Sequence, residues 1–156
     1  TDITNETPSI LGFLAKKYPD LEKHVIIGKG FSNIDEIKAA ADQKTYLIFY
    51  PDAEIMKSKM LECDIAISAA GQTVYELARV GIVSLLKKII DNQENIIKFW
   101  LRERCIMEMN SISDIDCLIN NNLKTRREYS IRMREMVDGY GVFRVIDKLL
   151  EVNGYI

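Results

Sequence analysis

Apolar positions along this chain keep changing period. Short, nearly continuous apolar runs of strand length alternate with stretches in which apolar residues recur at helical spacing. Thr7-Pro8 reads as an N-cap followed by proline at the first helical position, and predicts an amphipathic helix through "SILGFLAKKY" to Pro19. "HVIIG" (His24 to Gly28) predicts a strand closed by the turn "GKGF", after which Ser32 and Asp35 read as a capping box for a helix to about Ala41. The alternation then repeats. "TYLIFY" is a strand stopped by Pro51, "DAEIMKSKMLEC" a helix, "DIAIS" a strand, and "QTVYELARV" a helix with Gly81 as its C′ residue. "IVSLL" predicts a further strand, "NQENIIKFWLRERC" a helix, and "IMEM" a short strand. From "SISDIDCLI" onward the pattern is helical only.

Strands that are apolar along their whole length, separated by helices, belong to a parallel sheet covered on both sides. The expected fold is α/β, a Rossmann-like doubly wound parallel sheet with helices on both faces, as one domain over residues 1–156. Length and composition agree: 156 residues with 47% hydrophobic side chains suffice for one core. No repeat, linker or low-complexity segment interrupts it. The net charge of -2, from 21 basic and 23 acidic residues, provides no long-range field for nucleic acid or an anionic membrane, so any anion site is local. The three cysteines, Cys63, Cys105 and Cys117, are odd in number and lack C-x-x-C spacing, which predicts buried free thiols and a reducing compartment. No apolar run is long enough to span a bilayer, and "TDITNETPS" is not a signal peptide, so a soluble, cytoplasmic protein is expected.

In a doubly wound sheet, ligands sit beyond the carboxyl ends of the strands. "DIAISAAGQTVYELARVG" (Asp64 to Gly81) provides such an end. Ala69, Ala70 and Gly71 would let a phosphate approach the free N–H groups at a helix start, and Glu76, a turn further on, could accept from a sugar hydroxyl. The plainer reading is that small residues only allow tight strand–helix packing. On these residues alone the two readings weigh equally.

"DIAISAAGQTVYELARVGIVSLL", followed by "DNQ" (Asp91, Asn92, Gln93), resembles the C-terminal nucleotide-binding domain of GT-B enzymes that handle UDP-sugars. The likeness is nearest to the UDP-sugar hydrolase of the pseudaminic acid pathway and its spore-coat polysaccharide relatives, and more distant to MurG-type N-acetylglucosaminyl transferases. It implies that Ser68, Ala69, Ala70, Gly71, Gln72 and Thr73 hold the diphosphate. It further implies that Glu76 binds the ribose, and that Asn92 and Gln93 lie beside the sugar or phosphate. A UDP-sugar is the implied partner, with no cofactor and no metal. The family also has an N-terminal domain carrying the acceptor or water site and, in the hydrolase, a catalytic histidine. Here the lone histidine, His24, reads as a surface or strand-edge residue and not as a base. The chain is therefore expected to be the nucleotide-binding half of a two-domain hydrolase or transferase of surface polysaccharide biosynthesis, inactive by itself. A non-catalytic Rossmann-like interaction or regulatory module is the alternative.

The family usually carries a strand ending in Gly-Gly-Thr-Asp or Gly-Gly-Ser-Asp, whereas this sequence starts at Thr1-Asp2. In the strand order 3-2-1-4-5-6, "HVIIG" would be the second strand and "DIAIS" the fourth, without their shared neighbour. Three outcomes follow: direct pairing of the two, a segment of a second chain in the gap, giving a homodimer, or upstream residues that fill it. Direct pairing is the expected structure and upstream residues the expected biology. Elsewhere, Lys87 and Lys88 read as solvated or phosphate-neutralising. Asp52 lacks the further carboxylates of a phospho-receiver. Trp100, Phe99 and Tyr46 read as packing residues, and Met56, Met60, Met107 and Met109 as core filler.

Overall fold

In the computed structural model, residues 2 and 4–152 are described. The elements follow the alternation: α1 (Glu6–Lys17), β1 (Lys23–Ile27), α2 (Ile34–Ala40), β2 (Thr45–Phe49), α3 (Ala53–Glu62), β3 (Ile65–Ala69), α4 (Thr73–Val80), β4 (Val83–Lys87), α5 (Glu94–Arg102) and β5 (Met107–Glu108). Three helices complete the chain: α6 (Asp114–Ile119), α7 (Leu123–Met136) and α8 (Gly141–Val152). All strand pairs are parallel and the architecture is the expected α/β, Rossmann-like one.

The sheet is divided. Among the described residues β1 pairs only with β2, and β3, β4 and β5 form a second sheet in that order. Direct pairing of "HVIIG" with "DIAIS" therefore does not occur, which corrects the expectation above. α1 packs on both sheets: its Leu11 is buried against Ile27 and Ile37, while Ile10, Phe13 and Leu14 pack on the core of the other sheet. One helix thus contacts the cores of both sheets. Burial records the division: Val83 to Leu86 of β4 are buried, whereas Val25 and Ile26 of β1 and Ile65 to Ile67 of β3 are half-buried.

The main core lies around β4, with Trp100, Leu85, Leu86, Ile115 and Leu118 fully enclosed. A smaller cluster of Met60, Leu77 and Ile82 joins α3 to α4. Met60 and Met109 are core residues, as read from the sequence, but Tyr46 is exposed and meets the His24 ring edge-on at 5.3 Å. Cys105 is buried, Cys63 half-buried and Cys117 exposed, so only part of the thiol expectation holds.

The helix starts differ from the sequence reading. The N-cap of α1 is Asn5, with φ 55°, and the cap is supplied by the Asp2 carboxylate, which accepts from the N–H groups of Glu6 and Thr7 at 2.9 Å each. At α2 the N-cap is Asn33, whose side chain makes no capping bond, so the Ser32–Asp35 box does not form. The Gly81 expectation is met: it ends α4 with φ 84°, and its N–H reaches the Leu77 and Ala78 carbonyls.

Candidate functional site

The junction between β3 and α4 is built by a few backbone bonds. The Ala70 N–H donates to the Lys87 carbonyl at 3.1 Å, carrying the β3–β4 ladder one residue past Ala69, and Ala70 is fully buried. The Gly71 N–H then turns back onto the Ala69 carbonyl at 2.8 Å. Along α4 the first N–H to find a carbonyl is that of Val74, which donates to Gly71 at 3.2 Å, followed by Tyr75 to Gln72 at 3.0 Å. No side chain caps the helix: Gln72 at the N-cap makes no such bond. The N–H groups of Gln72 and Thr73 therefore lead a helix start without a side-chain cap, with Glu76 as the acidic residue of its first turn.

Packing explains one of the small residues and not the other. Ala70 has no room for a larger side chain. At Gly71 a β-carbon would meet no atom within 4 Å, and its φ is not positive, so neither sterics nor backbone conformation demands glycine there. The space in front of Gly71 is open, and the helix behind it has no side-chain cap.

The other predicted residues gather near the same sheet end to different degrees. Ala69 pairs in register with Lys87, which brings Ser68 to Thr73 beside the segment that follows β4. Ser68 turns its hydroxyl to the Ala69 carbonyl at 3.0 Å. Glu76 lies in the first turn of α4, exposed to solvent. Asp91–Gln93 forms a 3-10 turn in which Asn92 is exposed, while the Gln93 side-chain oxygen accepts from the N–H of Ile89 at 2.8 Å and of Ile90 at 3.4 Å. Gln93 thus shapes its own loop, leaving only its amide nitrogen to offer a ligand.

Lys87 and Lys88 are both paired. Lys87 Nζ stands 3.5 Å from Glu6 at the start of α1, and Lys88 Nζ lies 3.5 Å from Asp91 and 3.7 Å from Glu94. At the start of α6, the Asp114 carboxylate accepts from the N–H groups of Ser111 and Asn110 at 2.7 and 2.9 Å, and these backbone donors hold it below the usual carboxylate range. His24 sits on β1 with Nδ1 4.0 Å from the Cys63 sulfur, in a strand-edge position. Among the described residues, no group of three or more His, Cys, Asp or Glu side chains is placed to hold a metal ion. No described helix is long and apolar enough to cross a membrane.

Two residues went unnoticed in the sequence. Asn33 is 7% exposed and donates from Nδ2 to Asp2 at 2.8 Å and to Asn5, while its Oδ1 has no partner among the described residues. Lys23 is buried and bonded to Asp42 at 2.6 Å. An asparagine in a turn and a lysine at the start of a strand carry no sequence signal of burial.

The fold is that of a Rossmann-like α/β domain, as in the C-terminal half of the GT-B fold. Among solved structures, the chain is similar to MurG of Acinetobacter baumannii, with a TM-score of 0.68 and 18% identity, over 96% of this chain and 46% of that one. The chain thus corresponds to about half the length of that neighbour. No protein-family model and no curated protein sequence matches it.

Proposed function

We propose that this chain is the nucleotide-sugar-binding half of a GT-B enzyme that takes a UDP-sugar as substrate. The observation that carries the reading is the open, uncapped start of α4 behind Gly71. The N–H groups of Gln72 and Thr73 receive the diphosphate, where the helix dipole favours negative charge. Glu76 accepts from the ribose hydroxyls, and the exposed Asn92 reaches the sugar or phosphate from the neighbouring loop. The paired lysines set the local field and do not need to touch the ligand.

The other half of the enzyme is a separate domain that brings the acceptor or the attacking water together with the catalytic base. The MurG likeness covers 46% of that chain, which leaves room for such a partner domain. The resemblance of Asp64 to Gln93 to the UDP-sugar hydrolase of the pseudaminic acid pathway favours hydrolysis in surface polysaccharide synthesis. The structural likeness to MurG favours transfer. Assaying UDP-sugar consumption by the two-domain polypeptide with and without acceptor separates these outcomes.

Calorimetric titration of the chain with UDP, UMP and uridine tests the binding claim. The expected order is UDP tightest and uridine weakest, because the helix start recognises phosphate. Equal or absent binding of all three would leave the domain as a non-catalytic module.

A further inference from the structure

Lys87 stands between two helix starts. Its carbonyl accepts from the Ala70 N–H at 3.1 Å, at the junction that leads into α4, while its Nζ lies 3.5 Å from the Glu6 carboxylate in the first turn of α1. The two side chains are 25% and 30% exposed, so neither is sealed from solvent.

The two lysines at this sheet end are held differently. Lys88 has two carboxylates, Asp91 at 3.5 Å and Glu94 at 3.7 Å, both from the segment that follows it. Among the described residues, Lys87 has one ion-pair partner, Glu6. At 3.5 Å that pair is longer than a hydrogen bond, in contrast to the 2.6 Å bond from Lys23 to Asp42. Another carboxylate that feels the Lys87 charge, Asp114, is already tied to the N–H groups of Ser111 and Asn110. Glu6 sits at the positive end of α1, which favours its charge whether or not the lysine is beside it. Lys87 is therefore the cation of this sheet end that is most easily parted from its carboxylate.

We propose that Lys87 changes partner when a diphosphate binds: Glu6 holds it in the empty domain, and phosphate oxygens take it over in the loaded one. The exchange rests on the reading that UDP binds at the start of α4. That binding needs only the field of Lys87, and the exchange gives the lysine a contact as well. A diphosphate displaces a single carboxylate from an ammonium group because it carries more negative charge and more acceptor oxygens. Glu6 is then a built-in competitor. It weakens the hold of the site on phosphate ligands, and it does so through Lys87 alone.

The test is calorimetric titration of the chain with inorganic pyrophosphate and with UDP, in the wild type, Glu6→Gln, Lys87→Met and the double variant. An ion pair this exposed adds little to stability, so all four are expected to fold, and their urea midpoints check it. Glu6→Gln is expected to bind both ligands about 2–5-fold more tightly, the range of a lost exposed ion pair. Lys87→Met is expected to bind them about 10-fold more weakly, for the loss of a charged hydrogen bond. In the Lys87→Met background, Glu6→Gln is expected to change nothing, because the competitor has no lysine left to hold. Unchanged or weaker binding by Glu6→Gln overturns the exchange and leaves UDP binding at the junction in place. So does equal tightening in both backgrounds, which would mean that Glu6 only repels the anion. If the wild type binds neither pyrophosphate nor UDP, the binding reading itself fails and takes the exchange with it.

Discussion

Gly81 and Ser130 are in contact so close that a β-carbon on Gly81 would lie 2.6 Å from the Ser130 hydroxyl and 3.1 Å from its carbonyl oxygen. The glycine ends α4 in the left-handed region and at the same point admits α7 against it. Gly81→Ala should therefore lose roughly 1–3 kcal/mol from backbone conformation, with the steric conflict in addition. Urea unfolding measures it. A loss under ~0.5 kcal/mol would mean that α7 does not approach α4 as described.

Gly71 makes the opposite case, because a side chain there meets nothing within 4 Å. Gly71→Val should unfold at nearly the wild-type urea concentration yet bind UDP much more weakly, since its methyl groups fill the approach to the Gln72 and Thr73 N–H groups. Unchanged UDP affinity in the folded variant removes the loop from the site.

Glu76→Ala tests the sugar side of the same site. Loss of a charged acceptor for the ribose hydroxyls should weaken UDP by roughly 1–3 kcal/mol. Inorganic pyrophosphate, which has no ribose, should bind the variant as it binds the wild type. Equal weakening of both ligands would show that Glu76 acts through the local field and not through the sugar.

The Asp138 carboxyl is held at about 2 by the Arg144 guanidinium, with a further bond from the Tyr140 N–H. Its folded-state pKa lies below the unfolded one, so whatever the pair adds to stability is present above about pH 4. It is lost as pH falls through about 2. Carbon-detected NMR titration should place Asp138 there in the wild type and nearer the ordinary carboxylate range in Arg144→Ala. Identical titration in the two proteins would dissociate the pair.

The periodicities that sequence reading uses are local, and what they specify was recovered. The apolar run "IVSLL" is β4 (Val83–Lys87), the most buried strand, and Gly81 ends α4 as its position implied. "IMEM" shrank to Met107–Glu108 because only Leu85 and Leu86 face it across the ladder. Long-range relations were not legible. The cap on α1 comes from Asp2, outside the helix motif that Thr7-Pro8 suggested. The division of the sheet, and the contact of α1 with both cores, are recorded in no window of sequence. At the candidate site the small residues stand out in the sequence but their surroundings do not: Ala70 is core and Gly71 is open, a difference made only by the fold.

Trp100 supplies the last prediction, because it is fully buried while its indole N–H has no partner among the described residues. Its ring meets Tyr75 of α4 edge-on at 5.7 Å and Phe99 at 5.5 Å, so it ties α5 to the helix that carries the candidate site. Truncation to alanine should cost about 3–5 kcal/mol, as for other large aromatic residues removed from a core. Phenylalanine keeps an aromatic contact with Tyr75 and removes the unpaired N–H, whose burial itself costs about 1–3 kcal/mol. Trp100→Phe should therefore be far milder than Trp100→Ala, with urea midpoints giving the comparison. If the two variants are equally destabilised, the indole N–H has a partner in solution, and its burial without one is not a feature of the folded protein.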